Sequence, residues 1–291
     1  MSMLNITIIG LGLIGGSIGL AFKDKLQGGS IISGWDINPE VRDLSLERKV
    51  VDRISSNLAD AVHDADVVFL CTPVLQMLSI VERIAPYMKK GAVLTDVGST
   101  KQFVFEKIEQ MLPPGVNYVG GHPMAGSERS GVAAADKELF MNKYYILVSS
   151  PKTPPAAIGM IRSLIALTGA IITTMDMEKH DLYAAMTSHV PHVTAAALVN
   201  LLEHLSEPEG LQLAGGGFRD TTRIAGSDAD VWADICVSNC DAVADGLRKL
   251  QDLLGEVIAA AQTSDREALH TFFSKAKQRR DLIVTSLLAT N

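Results

Sequence analysis

Only three of the 291 residues are cysteine: Cys71, Cys236 and Cys240. So few in so long a chain excludes a disulfide framework and fits a reducing cytoplasm, where thiols stay free. Cys236 and Cys240 stand four apart in a helical-looking stretch. With no second pair of ligands near them, they read as helix packing and not as a metal site. An excess of positive charge is also missing. The formal net charge is −7, with acids and bases interspersed. That excludes a broad nucleic-acid surface and leaves an anion only a locally basic spot. No uninterrupted apolar run reaches membrane-spanning length, and no signal peptide precedes the strand-like "NITIIG". Repeats and low-complexity segments are lacking too. These absences leave a soluble, cytoplasmic protein with small-molecule partners, no nucleic acid and no membrane.

What is present is apolar and periodic. Hydrophobic residues make up 47% of the chain, ample for two buried cores. Through residue 175 the sequence alternates short apolar runs with helical spacing. Strands are predicted at 5–10, 31–36, 66–71, 92–97 and 117–121, with helices near 13–26, 39–48, 73–88 and 100–111. Continuous apolar runs of this length fit parallel strands buried on both faces. The rhythm is βαβ, so residues 1–175 read as a doubly wound, Rossmann-type α/β domain. "YYILVSS" (144–150) and "AIITTM" (170–175) add strands around a helix near 155–168. From 176 to 291 no strand pattern appears, and the segment reads as an all-helical domain. Its first helix, 177–205, contains Pro191, which should kink it or mark a local break. Alanine-rich helices carrying more apolar surface than a thin layer can bury suggest a homodimer.

"TIIGLGLIGGSIG" runs from a strand into a helix and carries Gly10, Gly12 and Gly15 in the spacing of a dinucleotide fingerprint. The helix start at Leu13 and Ile14 offers unpaired N–H groups to phosphates. Asp36 ends the second strand, where a carboxylate can accept bonds from ribose hydroxyls and repel a 2′-phosphate. NAD is therefore expected over NADP. Thr72 and Pro73 in "CTPV", and Ser99 in "DVGSTK", fall at carboxyl ends of later strands, where such sheets bind ligands. "VGGHPMAGSERSG" (119–131) places His122 after the fifth strand, opening onto the same crevice. Its flanking glycines suggest a backbone that approaches substrate and cofactor closely.

"GLGLIGGS", "DVGSTK", "GGHPMAGSERSG", "SHVPH" and "GGGFRDTTRIAGSDADVW" occur in this order. Together they resemble the TyrA family, the prephenate and arogenate dehydrogenases of tyrosine biosynthesis, across essentially the whole chain. The resemblance implies a nucleotide domain followed by a helical dimerisation domain, with the active site between them. It implies His122 as the catalytic histidine and Ser99 as its hydrogen-bond partner near the nicotinamide. It implies Arg223 as the ligand of a substrate carboxylate, with His192, Ser127 and Glu128 lining the pocket. Glu128 and Asp220 could join Arg223 in an ionic network. The family often has proline where this chain has Ala229. Within these 291 residues no regulatory ACT domain or chorismate mutase helix accompanies the two domains, so any tyrosine feedback would act at the catalytic domain.

The activity implied is NAD-dependent oxidation and decarboxylation of prephenate to 4-hydroxyphenylpyruvate, with His122 as proton acceptor titrating near pH 6 to 7. Arogenate dehydrogenase is the near alternative. A β-hydroxyacid dehydrogenase would need K-x-x-N in the long helix, which holds only Lys179 followed by "HDL". An NAD-binding redox sensor would need no base. His189 and His192 are three apart, but Pro191 and the lack of a third ligand argue against a metal.

Overall fold

A computed structural model describes residues 3–26, 29–127, 129–205 and 209–288. By contact density the chain divides into Met1–Cys240 and Asp241–Asn291.

The first unit is built on one eight-stranded sheet. Its strands are β1 (Asn5–Ile9), β2 (Ile31–Trp35), β3 (Arg53–Ile54), β4 (Val67–Leu70), β5 (Val93–Asp96), β6 (Asn117–Pro123), β7 (Tyr144–Val148) and β8 (Ile171–Thr174). The order is β3-β2-β1-β4-β5-β6-β7-β8. The helices between them are α1 (Leu13–Lys25), α2 (Pro39–Glu47), α3 (Leu58–His63), α4 (Val74–Ile84), α5 (Phe105–Met111) and α6 (Pro155–Ala166).

Within the apolar runs, side chains alternate between the two faces of the sheet. Val68 and Leu70 of β4 join a core with Met77, Ile84 and Phe105, beneath α3, α4 and α5. Val67 and Phe69 join the opposite core with Ile18, Phe22 and Ile161, beneath α1 and α6. This is the doubly wound arrangement the sequence predicts. Burying each such large side chain contributes roughly 1.5–3 kcal/mol.

Three features differ from the sequence reading. β3 and α3 were not anticipated, being two and six residues long. β7 runs antiparallel to β6; among its described residues the connection between them holds only a short 3-10 turn, Val132–Ala134, and no crossover helix of the kind that usually joins parallel strands. β6 continues through Pro123, so His122 sits on the strand, opposite Ile146.

After β8 the unit turns helical: α7 (Met177–Ala184), α8 (Val190–Asn200), α9 (Glu209–Gln212), α10 (Gly216–Thr222) and α11 (Ala229–Ser238). Asp176 caps α7 by accepting from Lys179 N, and Asp228 caps α11 by accepting from Asp230 N and Val231 N. α7 and α8 are joined by a π-helical turn, Ala185–His189, with no break in the helical path. The irregularity expected at Pro191 thus takes the form of one wide turn just before it, which frees the carbonyl that proline cannot satisfy.

The second unit consists of the long helix α12 (Cys240–Gln262), which starts at the last residue of the first, and α13 (Arg266–Leu288). Leu253, Leu254 and Ile258 of α12 are exposed, as are Phe273, Leu282 and Ile283 of α13. Among the described residues no helix is long and apolar enough to cross a membrane.

An ion pair with no solvent exposure lies at the end of β5. Asp96 Oδ2 accepts from Lys101 Nζ at 2.5 Å and from Gly98 N at 2.8 Å. Its Oδ1 accepts from Tyr118 Oη at 2.8 Å and Gly121 N at 3.0 Å. Lys101 Nζ also donates to the carbonyls of Gly98 and Thr100. Removing one partner of such a pair strands the other charge. Lys101→Met should therefore destabilise the protein by about 3–5 kcal/mol, read as a lower denaturant midpoint at unchanged slope.

Candidate active site

A cleft of about 680 Å³ opens at the carboxyl ends of β1, β4, β5 and β6 and is closed on the other side by residues from Thr187 to Ile235. The cofactor fingerprint forms one end. Gly10 has a φ of +91°, and a side chain there would lie 2.6 Å from Cys71 O. A side chain on Gly15 would lie 2.0 Å from Gly10 O. Both glycines are required by the protein's own packing, and neither lines the cleft.

Gly12 differs: a Cβ there would meet nothing within 4 Å. It caps α1 without a side-chain hydrogen bond, and Gly12, Leu13 and Ile14 all face the cleft. An open, uncapped helix start beside a cleft fits the pyrophosphate of a dinucleotide. Asp36 lies outside the cleft lining, half-buried, with Oδ2 accepting from Leu11 N at 2.8 Å and Oδ1 from Asn38 N at 2.9 Å. Its carboxylate is thereby fixed beside the glycine turn, with lone pairs left for ribose hydroxyls.

Thr72, Pro73, Ser99, His122, Ser127, His192 and Arg223 all line this one cleft. Glu128 lies outside the described residues. Asp220, on α10, is exposed and does not line the cleft. Among the described residues no group of three or more His, Cys, Asp or Glu side chains is arranged to hold a metal ion.

His122 is 7% exposed. Its Nδ1 lies 2.8 Å from Nε2 of His180, whose Nδ1 lies 2.7 Å from Asp181 Oδ1. Among the described residues the hydrogen bond of His122 runs from its Nδ1 to His180, and none joins it to Ser99. The paired glycines before His122 also serve a purpose other than the one expected. A Cβ on Gly121 would lie 2.4 Å from Asp96 O and 2.8 Å from Tyr145 Oη, and one on Gly120 would press on Lys101 and Phe105. They admit the strand to the protein core, not a ligand to the strand.

Several site residues were not assigned from sequence. Trp232 lines the cleft and stacks on His192, with centroids 3.3 Å apart and rings 14° from parallel. His189 also lines it, with a buried Nε2 that has no hydrogen-bond partner among the described residues. Its Nδ1 lies 3.3 Å from Asn239 Nδ2, which also donates to Asp181 O. His180 and Asp181 are the larger omission. The adjacent pair in "KHDL" was visible, but nothing local ties it to a strand fifty-eight residues away.

Burial, reinforced by His180 and Lys101, holds His122 well below the ordinary histidine value. Burial also lowers His180, partly offset by Asp181, and takes His189 to about 4. His122 is thus neutral at physiological pH and is held below the range the sequence suggested.

Residues 18–174 match the nucleotide-binding domain of prephenate dehydrogenase, and residues 176–275 match its dimerization domain. The chain belongs to the prephenate dehydrogenase family. It is 40% identical to the prephenate dehydrogenase of Bacillus subtilis over 95% of this chain and 75% of that protein. It is 34% identical to the cyclohexadienyl dehydrogenase of Zymomonas mobilis over 95% of this chain and 94% of that one. The Aquifex aeolicus prephenate dehydrogenase, solved with hydroxyphenyl propionate and NAD+, superposes with a TM-score of 0.90 at 31% identity, covering 97% and 99% of the two chains. This family member is an NAD-dependent oxidoreductase with a nucleotide domain followed by a helical dimerisation domain.

Neutral buried histidines make stability depend on pH. In the unfolded chain they bind protons near pH 6.5, whereas in the folded chain they resist until lower pH. Stability should therefore be full above about pH 6.5 and fall as pH drops toward about 4, the folded value for His189. Melting temperatures across that range check this; a flat profile contradicts it.

Proposed function

We propose that the cleft binds prephenate against NAD and that His122 takes the proton from the substrate's ring hydroxyl as the carbinol carbon is oxidised. The observation that carries this is a neutral, buried histidine and an arginine, Arg223, lining the cleft that begins at the bare start of α1. When bound, NAD accepts the hydride that leaves the carbinol carbon. A neutral imidazole is suited to accept the accompanying proton near pH 7. Loss of carbon dioxide from the ring then leaves an electron pair that makes the ring aromatic and the oxygen a phenol. That oxygen needs a proton, and the one held by His122 is at hand, so no net proton is released.

Arg223 is assigned to a substrate carboxylate, because arginine offers two parallel donors to one anion. Ser99, which lines the same cleft as His122, is assigned to the reacting end. Ser127 and His192 are assigned to the pocket wall, His192 stiffened by its stack on Trp232. Gly12, Leu13, Ile14, Thr72 and Pro73 are assigned to NAD, and Gly10 and Gly15 to the tight turn that presents them. Asp36 favours NAD over NADP, since a fixed carboxylate repels a 2′-phosphate.

Arogenate is the second reading. It carries an amino group where prephenate carries a keto oxygen, and Asp228 and Asp234 line the same cleft, so an ammonium would find acceptors. We also infer a homodimer, supported by the exposed apolar residues of α12 and α13 and by the dimerization-domain match. A domain boundary at 175/176, where the two family matches meet, and a cytoplasmic setting, with three free cysteines, complete the reading.

NADH formation by the purified protein, with prephenate and arogenate each tested with NAD and NADP, is the direct test. Prephenate with NAD should be fastest. His122→Asn should lower kcat by roughly 10²–10⁴-fold with NAD affinity unchanged; near-normal turnover would remove His122 from the mechanism.

Arg223→Ala should raise KM for the substrate by roughly 10–100-fold, from the loss of one or two charge-assisted bonds, and Arg223→Lys should recover part of it. A lower melting temperature with a normal KM would show that Arg223 only braces its loop.

A further inference from the structure

We infer that His180 and Asp181 form a positioning pair that fixes the tautomer of His122, leaving the lone pair on its Nε2 as the proton acceptor. This rests on His122 being the base. The chain of contacts is continuous, buried and directional. Asp181 Oδ1 accepts from Lys101 N at 2.7 Å and Oδ2 from Gln102 N at 2.9 Å. A carboxylate oxygen that already accepts a backbone N–H presents a lone pair to the next group, not a proton. His180 Nδ1, 2.7 Å from Oδ1, must therefore carry the hydrogen.

In a neutral imidazole only one ring nitrogen does so. His180 Nε2 is then an acceptor, and His122 Nδ1, 2.8 Å away, must be the donor. The same rule leaves His122 Nε2 bare. The opposite tautomer would set a ring lone pair against the Asp181 carboxylate.

The arrangement is held from several directions. His180 is 0% and Asp181 2% exposed. Asn239 Nδ2 donates to the Asp181 carbonyl at 2.8 Å and fixes the middle of α7 further. The charged and titratable groups around His180 are His122 on β6, Asp181 on its own helix, His189 on the π-helical turn, Asp96 at the end of β5 and Lys101 in the turn after it. When His122 takes a proton, its Nδ1–H becomes a charge-assisted donor to His180, and His180 passes the polarisation to Asp181. Neither partner touches the substrate. Each acts by orienting the base and favouring its protonated form in the transition state, as the buried carboxylate of a hydrolytic triad does.

Nitrogen NMR of the histidines in the unmodified protein tests the tautomer without turnover. A protonated Nδ1 and a bare Nε2 on His122 are expected; the reverse, or an equal mixture, overturns the inference. His180→Gln should lower kcat by roughly 10–100-fold, the usual cost of losing such an outer partner, with KM for prephenate and NAD little changed. Asp181→Asn removes the negative charge that favours protonated His122. Its rise of kcat/KM with pH should therefore move to lower pH, which a purely structural loss would not do. Normal kcat in folded His180→Gln, or an unmoved pH limb in folded Asp181→Asn, overturns the pair. Should either variant fail to fold, the NMR result decides. His122→Asn separates the two levels: if it is inactive while His180→Gln is normal, only the relay fails, whereas if it is itself active, the assignment of the base fails.

Discussion

The buried pair Asp96–Lys101 is the interaction on which the rest of the site hangs. One carboxylate ties the end of β5, the turn through Gly98 and the backbone of β6 just before His122. The backbone of Lys101 continues the network into the helical part of the first unit through Asp181. Two buried charges are costly to desolvate. Here the cost is offset by a full set of partners: four donors reach Asp96, and Lys101 Nζ has three acceptors. A single tight turn thus fixes both the strand that carries His122 and the helix that carries its partner.

The fold was largely legible in the sequence because parallel strands buried on both faces must be continuously apolar. β1, β2, β4 and β5 announce themselves that way, and the glycine turn with Asp36 marks where the ligand edge begins. β3 could not be read: two residues at the sheet edge, with Arg53 exposed, carry no period. The antiparallel direction of β7 was equally hidden, since a strand's own residues do not encode the sense of its neighbour.

The site was legible wherever a motif is local. Gly12, Thr72, Ser99, His122, His192 and Arg223 lie along one cleft. What failed was partnership across long separations. The resemblance pairs Ser99 with His122, whereas Nδ1 of His122 lies against a histidine from a helix with no motif of its own. The glycines beside His122 were misread for a related reason. A glycine signals close approach, but the sequence does not say whether the approaching atom belongs to a ligand or, as here, to Asp96 and Tyr145.

The π-helical turn at Ala185–His189 carries a consequence for how one helix can serve the site twice. His180 and His192 are twelve residues apart, which in a straight α-helix is about three and a third turns and would aim them a third of a revolution apart. A wide turn takes up one extra residue, leaving an effective spacing close to three whole turns. The bulge therefore acts as a phase corrector. It lets a single unbroken rod hold the histidine that meets His122 at one level and the one stacked on Trp232 at another, both facing the same way.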